Sequence, residues 1–227
     1  MPGPATSVAC PDMPSVTRKS QSTRTQRRDK ARDRLLSVVE KLLEDGESFT
    51  EISVERLVSE AGLSRSTFYV YFEDKGDLLR AWFEDITHEL SDAAKDWWAL
   101  GPDATREDLR AALDRVVKAY KPHTTLMAAT YDAAAYDASV RELVEGMMAG
   151  NVGGLRKHIK AGQSAGWIDD TLPAAQTAAW LTWMAERGLH QLVRTASGPE
   201  LEKLIDAYTA IVWNTLYAPA RRKGTSS

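Results

Sequence analysis

The sequence predicts an all-α protein, with a small N-terminal three-helix unit followed by a larger helical body. Three observations carry that expectation. Apolar residues recur at three- and four-residue spacing along most of the chain; no stretch sustains the alternation of a half-buried strand; and the breaks fall at Gly46, Gly62, Gly101-Pro102, Pro122 and Gly166-Trp167. The chain's 227 residues suffice to bury a substantial core and to join a small unit to a larger one.

Residues 1–23 mix Pro, Ser, Thr and charged side chains without a helical pattern and are expected to form a disordered tail. The only cysteine, Cys10, lies there, so no intramolecular disulfide can form and a reducing, cytoplasmic setting is expected. No apolar run reaches the roughly 18 residues of a membrane span, and no signal-peptide core precedes the body. The net charge of −3 does not advertise an anionic partner, but its distribution does. Between Arg18 and Arg34 eight Lys or Arg face two Asp, a local +6 that leaves −9 for the rest. Arg24, Arg27, Arg28 and Lys30 either follow a phosphate backbone as an arm does or form a solvated helix start.

The first helix is predicted over about Arg27–Asp45, from Leu35, Leu36, Val38, Val39, Leu42 and Leu43, with Gly46 ending it. The segment Glu51–Lys75 follows. Ser53 can cap a second helix that carries Val54, Leu57, Val58 and Ala61 on one face, and Gly62 suits the left-handed turn that closes it. Leu63 can reach back between the helices, and Ser64 can cap a third helix over 65–72 in which Phe68 and Phe72 point inward together. Arg65, Ser66, Thr67, Tyr69 and Tyr71 are left on or near the other side, where such side chains can hydrogen-bond bases and phosphates. Two helices about a tight glycine turn, with a polar outer face, read as a DNA-binding helix-turn-helix. Thr50, just before it, either donates to a phosphate or caps the chain entry.

Ser64–Phe72, followed by Lys75 and Leu78, resembles the recognition helix and following helix start of the TetR family of bacterial regulators. The run from Leu42 to Lys75 is particularly similar to the EthR-like repressors of mycobacteria, although the family often has His where this chain has Tyr71. The resemblance implies a unit over 24–75 that binds a double-stranded DNA operator. Its candidate contacts are Arg24, Arg27, Arg28, Thr50, Ser53, Ser64, Arg65, Ser66, Thr67, Tyr69, Tyr71 and Lys75. It also implies an effector-binding and dimerisation body over 76–218 and repression of a palindromic operator that a small molecule relieves; residues 219–227 are expected to form a flexible tail.

Leu78, Leu79, Trp82, Phe83, Ile86 and Leu90 place a long helix over about 76–100, which the resemblance makes the connector between reader and body. Trp97, Trp98 and Leu100 close it. Further helices are predicted over about Arg106–Lys121, His123–Tyr136, Ser139–Ala165, Pro173–Thr195 and Pro199–Leu216, with Pro173 and Pro199 in first turns. The last two carry Trp180, Trp183, Met184, Leu189, Leu192 and Val193, and Leu204, Ile205, Tyr208, Ile211, Val212 and Leu216. That apolar surface either packs the core or pairs with a second subunit, as the family does, to form a homodimer.

A small-molecule site is expected among the body helices. Tyr120, Met127, Met148, Leu155 and Trp183 offer large or adaptable apolar groups, and Asn151, Thr182 and Glu186 offer polar ones, which together suit a mainly apolar effector. The same Met and Trp residues can equally fill a core, and Glu186 can equally pair with His190 or Arg187 at the surface. Gly146, Gly150, Gly153 and Gly154 crowd one predicted helix, which is expected to be an adjustable wall or to admit a close neighbour. An enzyme finds little support. His88, His123, His158 and His190 lack metal-ligand spacing, no strand precedes the glycines as a phosphate cradle requires, and Asp169-Asp170 read as turn or cap. No cofactor or metal is expected. A helical protein-binding adaptor without specific DNA affinity is the remaining alternative.

Overall fold

The computed structural model describes residues 16–224, with side chains described from Gln26 to Arg221. The described residues form helices, turns and loops. Helix α1 (Val16–Glu44) stops at Gly46, whose φ of +90° reverses the chain. It starts well before the predicted Arg27. Its first turns carry few apolar residues and so give no periodic signal, yet Arg, Lys and Gln are good helix formers. Residues 16–23 are therefore helical rather than a disordered tail, while 1–15, with Cys10, lie outside the described residues.

Helices α2 (Val54–Glu60) and α3 (Arg65–Tyr71) follow, then the long α4 (Lys75–Trp98), capped by the Asp74 carboxylate, which accepts from the Asp77 amide at 2.7 Å. Helix α5 (Arg106–Tyr120) begins with a reciprocal cap between Thr105 and Asp108. Pro122 sits in a single 3₁₀ turn, Lys121–His123, before α6 (Thr124–Ala134) and α7 (Ala138–Ser164). Helix α8 (Ala174–Gly188) has Pro173 at its cap rather than in its first turn, and it widens into a π-helical turn over Leu189–Val193. The Lys121 ammonium gathers the carbonyls of Val193, Arg194 and Ala196 at 2.8, 3.0 and 2.6 Å and so closes that irregular end. Helix α9 (Gly198–Leu216) leads to α10 (Ala218–Gly224), where a flexible tail was expected; Arg221 anchors it by donating to the Pro102 carbonyl and lying over the Trp213 ring.

The apolar residues form three clusters. The largest runs without a break from α1 (Leu35, Val39, Leu42) through α2 and α3 (Leu57, Phe68) into α4 (Leu78, Trp82, Ile86), α6 (Leu126, Met127) and α7 (Val140, Val144). The packing therefore carries straight across the expected boundary at 75/76. A second cluster joins Trp97, Leu113, Leu155, Ile159, Leu181, Val212 and Tyr217 at the far end, and Val117, Val193 and Ile205 form a small third.

Candidate nucleic-acid interface and ligand cavity

The reader is assembled from its caps inward. The Ser53 hydroxyl accepts from the Arg56 amide at 3.2 Å, and Ser64 does the same for Thr67 at 3.0 Å, so each helix starts where its serine stands. Between them Gly62 adopts φ +64°, the Leu63 amide donates to the Val58 carbonyl at 2.8 Å, and the Gly62 amide donates to Ser59 at 3.3 Å. That pair of bonds is a Schellman closure, which requires the left-handed residue that glycine supplies. Phe68 and Phe72 are buried with ring centroids 5.5 Å apart. On the opposite face Arg65, Ser66, Tyr69 and Val70 are exposed, and Thr67 is half-buried. Arg65 lies over the Tyr69 ring at 5.7 Å and pairs with Glu55 at 2.7 Å, an exposed arrangement that leaves the guanidinium free to exchange partners.

At the other end of the molecule the three apolar clusters fail to merge, and a cavity of about 320 Å³ lies between them. Met127 comes from the first cluster, Trp97 and Leu155 from the second, and Val117 and Ile205 from the third. Of the anticipated ligand residues, Tyr120, Met127, Met148, Asn151, Leu155, Thr182 and Glu186 all face it. Burial, and then the charge of Glu186, push the Tyr120 hydroxyl up to about 12 and raise Tyr131 further. Glu186 itself is buried rather than part of a surface pair: Arg187 approaches no closer than 3.9 Å and is largely exposed.

The C-terminal part of the chain, residues 109–218, matches the model of the C-terminal domain of the transcriptional regulator EthR, and residues 46–82 match that of the bacterial regulatory proteins of the tetR family. The HTH-type transcriptional regulator EthR of Mycobacterium tuberculosis is 32% identical over 157 residues, covering 68% of this chain and 72% of that protein. This chain belongs to the TetR family. Its EthR-type branch is supported also by the EthR of Mycolicibacterium smegmatis, 27% identical over 81% of this chain and 84% of the relative. The fold agrees with a TetR-family regulator, PfmR, from Thermus thermophilus (TM-score 0.65, 16% identity, 80% of this chain and 97% of that one) and with one from Syntrophomonas wolfei (TM-score 0.63, 17% identity, 83% and 93%). The protein is thus a TetR-family transcriptional regulator with a helix-turn-helix DNA-binding domain, not an enzyme.

Within this TetR-family regulator several anticipated contacts stand elsewhere. Lys75 is no free phosphate ligand: its ammonium donates to the carbonyls of Phe49, Thr50 and Ile52 at 2.9, 2.7 and 3.1 Å, and burial holds its pKa below the usual lysine value. It ties α4 to the loop before α2. Tyr71 is half-buried against the first core, whereas Ser53 and Ser64 are occupied as caps. Thr50 is exposed and shares a hydrogen bond with Ser48 at 2.7 Å. Arg27 and Arg28 are exposed on α1; the Arg24 side chain lies outside the described ones. Trp183 does not reach the cavity but is 49% exposed on the outer face of α8. Val70 on the reader and Tyr131, Trp97 and Tyr208 in the cavity went unassigned in the sequence. The first is an apolar residue at an exposed helical position, a signal available from periodicity; Tyr131 carries no expected role, Trp97 is expected to close the connector helix, and Tyr208 to belong to the apolar surface of the last two helices.

Proposed function

We propose that this regulator is a cytoplasmic repressor that binds a palindromic operator as a homodimer and is released by a small, mainly apolar molecule. The observation that carries the reading is that one helix serves both ends. Helix α4 starts at Lys75, bonded to the reader's loop, and its last turns place Leu90, Ala94, Trp97 and Trp98 in the cavity wall. A ligand that prefers a different setting of those residues shifts α4 and with it the reader.

Arg65, Ser66, Thr67 and Tyr69 then meet base edges and phosphates in the major groove, Val70 meets a thymine methyl, and Arg27 and Arg28 follow the backbone. One short helix reads too few bases for specificity, and a twofold partner supplies the second half-site about 34 to 36 Å away. Trp180, Trp183, Met184, Leu192 and Ile211, each exposed on α8, the π turn or α9, offer apolar surface for that partner. The test is to recover and sequence DNA fragments bound by the protein and to titrate the selected site at two salt concentrations. A palindromic consensus whose affinity falls steeply with salt supports the reading. Equal affinity for every sequence would instead favour the protein-binding adaptor.

A further inference from the structure

Glu186 brings a charge into a largely apolar cavity. The residue is only 9% exposed, and its Oε2 has no hydrogen-bond partner among the described residues. Arg187 stops 3.9 Å from that oxygen with its own side chain largely in solvent. Two more buried polar atoms, the Tyr120 hydroxyl oxygen and His190 Nδ1, are without a hydrogen-bond partner among the described residues. Tyr120 and Tyr131 line the cavity with Glu186 and feel its charge, as does His190 one helical turn on. The Tyr131 and His190 rings meet edge to face, with centroids 5.1 Å apart. The π-helical turn that follows Glu186 is the kind of helix irregularity that marks adjustable, functional positions.

A buried acceptor without a donor is costly unless something brings one. The chemistry of this corner selects the donor. A carboxylate ligand is repelled by Glu186, a ketone or ester brings no hydrogen, and an alcohol meets only one acceptor. A protonated amine carries several N–H donors and no acceptor, so it can meet both Glu186 Oε2 and the Tyr120 oxygen, with aromatic rings about its charge. We infer that the effector is an apolar molecule bearing a protonated amine, its ammonium seated on Glu186 beside Tyr120 and Tyr131 and its apolar part along Trp97 and Leu155. This rests on the reading of the cavity as the effector site.

The test uses the full chain and three probes of one length: decylamine, decanol and decanoate, each below its micelle concentration. Binding is followed by intrinsic tryptophan fluorescence, to which Trp97 and Trp98 in the cavity wall contribute, and by thermal shift. Decylamine should bind about tenfold or more tighter than decanol, with decanoate weakest. Glu186→Gln should abolish the preference for decylamine over decanol, since it removes the charge and keeps the shape. Arg187→Ala, which removes a competing cation, should strengthen decylamine alone, and it decides the matter should the Gln variant fail to fold. Equal binding of decylamine and decanol by the wild type overturns the amine and leaves the cavity reading standing. If none of the three probes binds, the cavity reading falls and the amine with it.

Discussion

Arg65 and Lys75 are both cations near the reader, and their surroundings give them opposite tasks. Arg65 is exposed and holds only surface partners, so Arg65→Ala should weaken operator binding about tenfold or more with the melting temperature unchanged. Lys75 holds three carbonyls together, so Lys75→Met should lower folding stability by about 1–3 kcal/mol in a urea titration. No sequence pattern separates the two, because the carbonyls that occupy Lys75 lie more than twenty positions earlier in the chain. His158 makes the same point in the core. The Trp97 indole can only donate, so it donates to the Tyr217 oxygen at 3.0 Å; the Tyr217 hydrogen then points to His158 Nε2 at 2.8 Å, and Nδ1–H donates to the Trp98 carbonyl at 3.0 Å. The ring is thereby held neutral, and burial lowers its pKa from 6.5, as it does for His190. A base with a depressed folded pKa binds fewer protons folded than unfolded, so stability should fall as pH drops below 6.5 and level off below the folded value. Thermal melts between pH 5 and pH 8 measure this, and His158→Gln should flatten the curve. Tyr217→Phe should cost about 1–3 kcal/mol at neutral pH by stranding both the indole N–H and Nε2.

Among the helices, α7 repays attention at its glycines. A Cβ at Gly154 would lie 2.7 Å from the Trp98 ring, so this glycine admits the indole, whereas a Cβ at Gly150 would meet no described residue within 4 Å beyond its own helix backbone and chain neighbours. Gly154→Ala should therefore destabilise the protein and displace Trp98 from the cavity wall, visible as altered fluorescence. Gly150→Ala should stabilise α7 by about 1 kcal/mol. A stiffer helix should also respond less to ligand in hydrogen exchange, since Met147 and Asn151 on this stretch line both the cavity and a second, more open cleft against α4. Equal exchange in the two proteins would remove the adjustable wall. Caps and breakers made most elements legible: Ser53, Ser64, Gly46 and Gly62 all stand at the ends that their chemistry specifies. Three features escaped for want of a periodic signal. The polar start of α1 and the short α10 have no apolar face to announce them, and the π turn is closed by Lys121 from a distant part of the chain.

For the whole molecule the decisive variable is the number of subunits. Trp183→Glu places a charge in the exposed apolar face without touching the cavity, so it should yield a 25.1 kDa monomer in sedimentation and cost operator affinity at least about a hundredfold. A variant that remains dimeric would move the interface elsewhere. Some side chains of the cavity, among them Tyr120, Met148, Asn151 and Glu186, were legible as adaptable apolar or isolated polar groups. Its existence was not, since a gap arises from how three clusters meet and each residue alone is indistinguishable from core. That seam bears on how such a protein diversifies. The second and third clusters share no buried residue with the reader's core, so a side chain facing the gap from either of them can be exchanged with little effect on the reader. A lineage can thus retune the same scaffold to a new metabolite one wall at a time, keeping its operator while it changes what it senses.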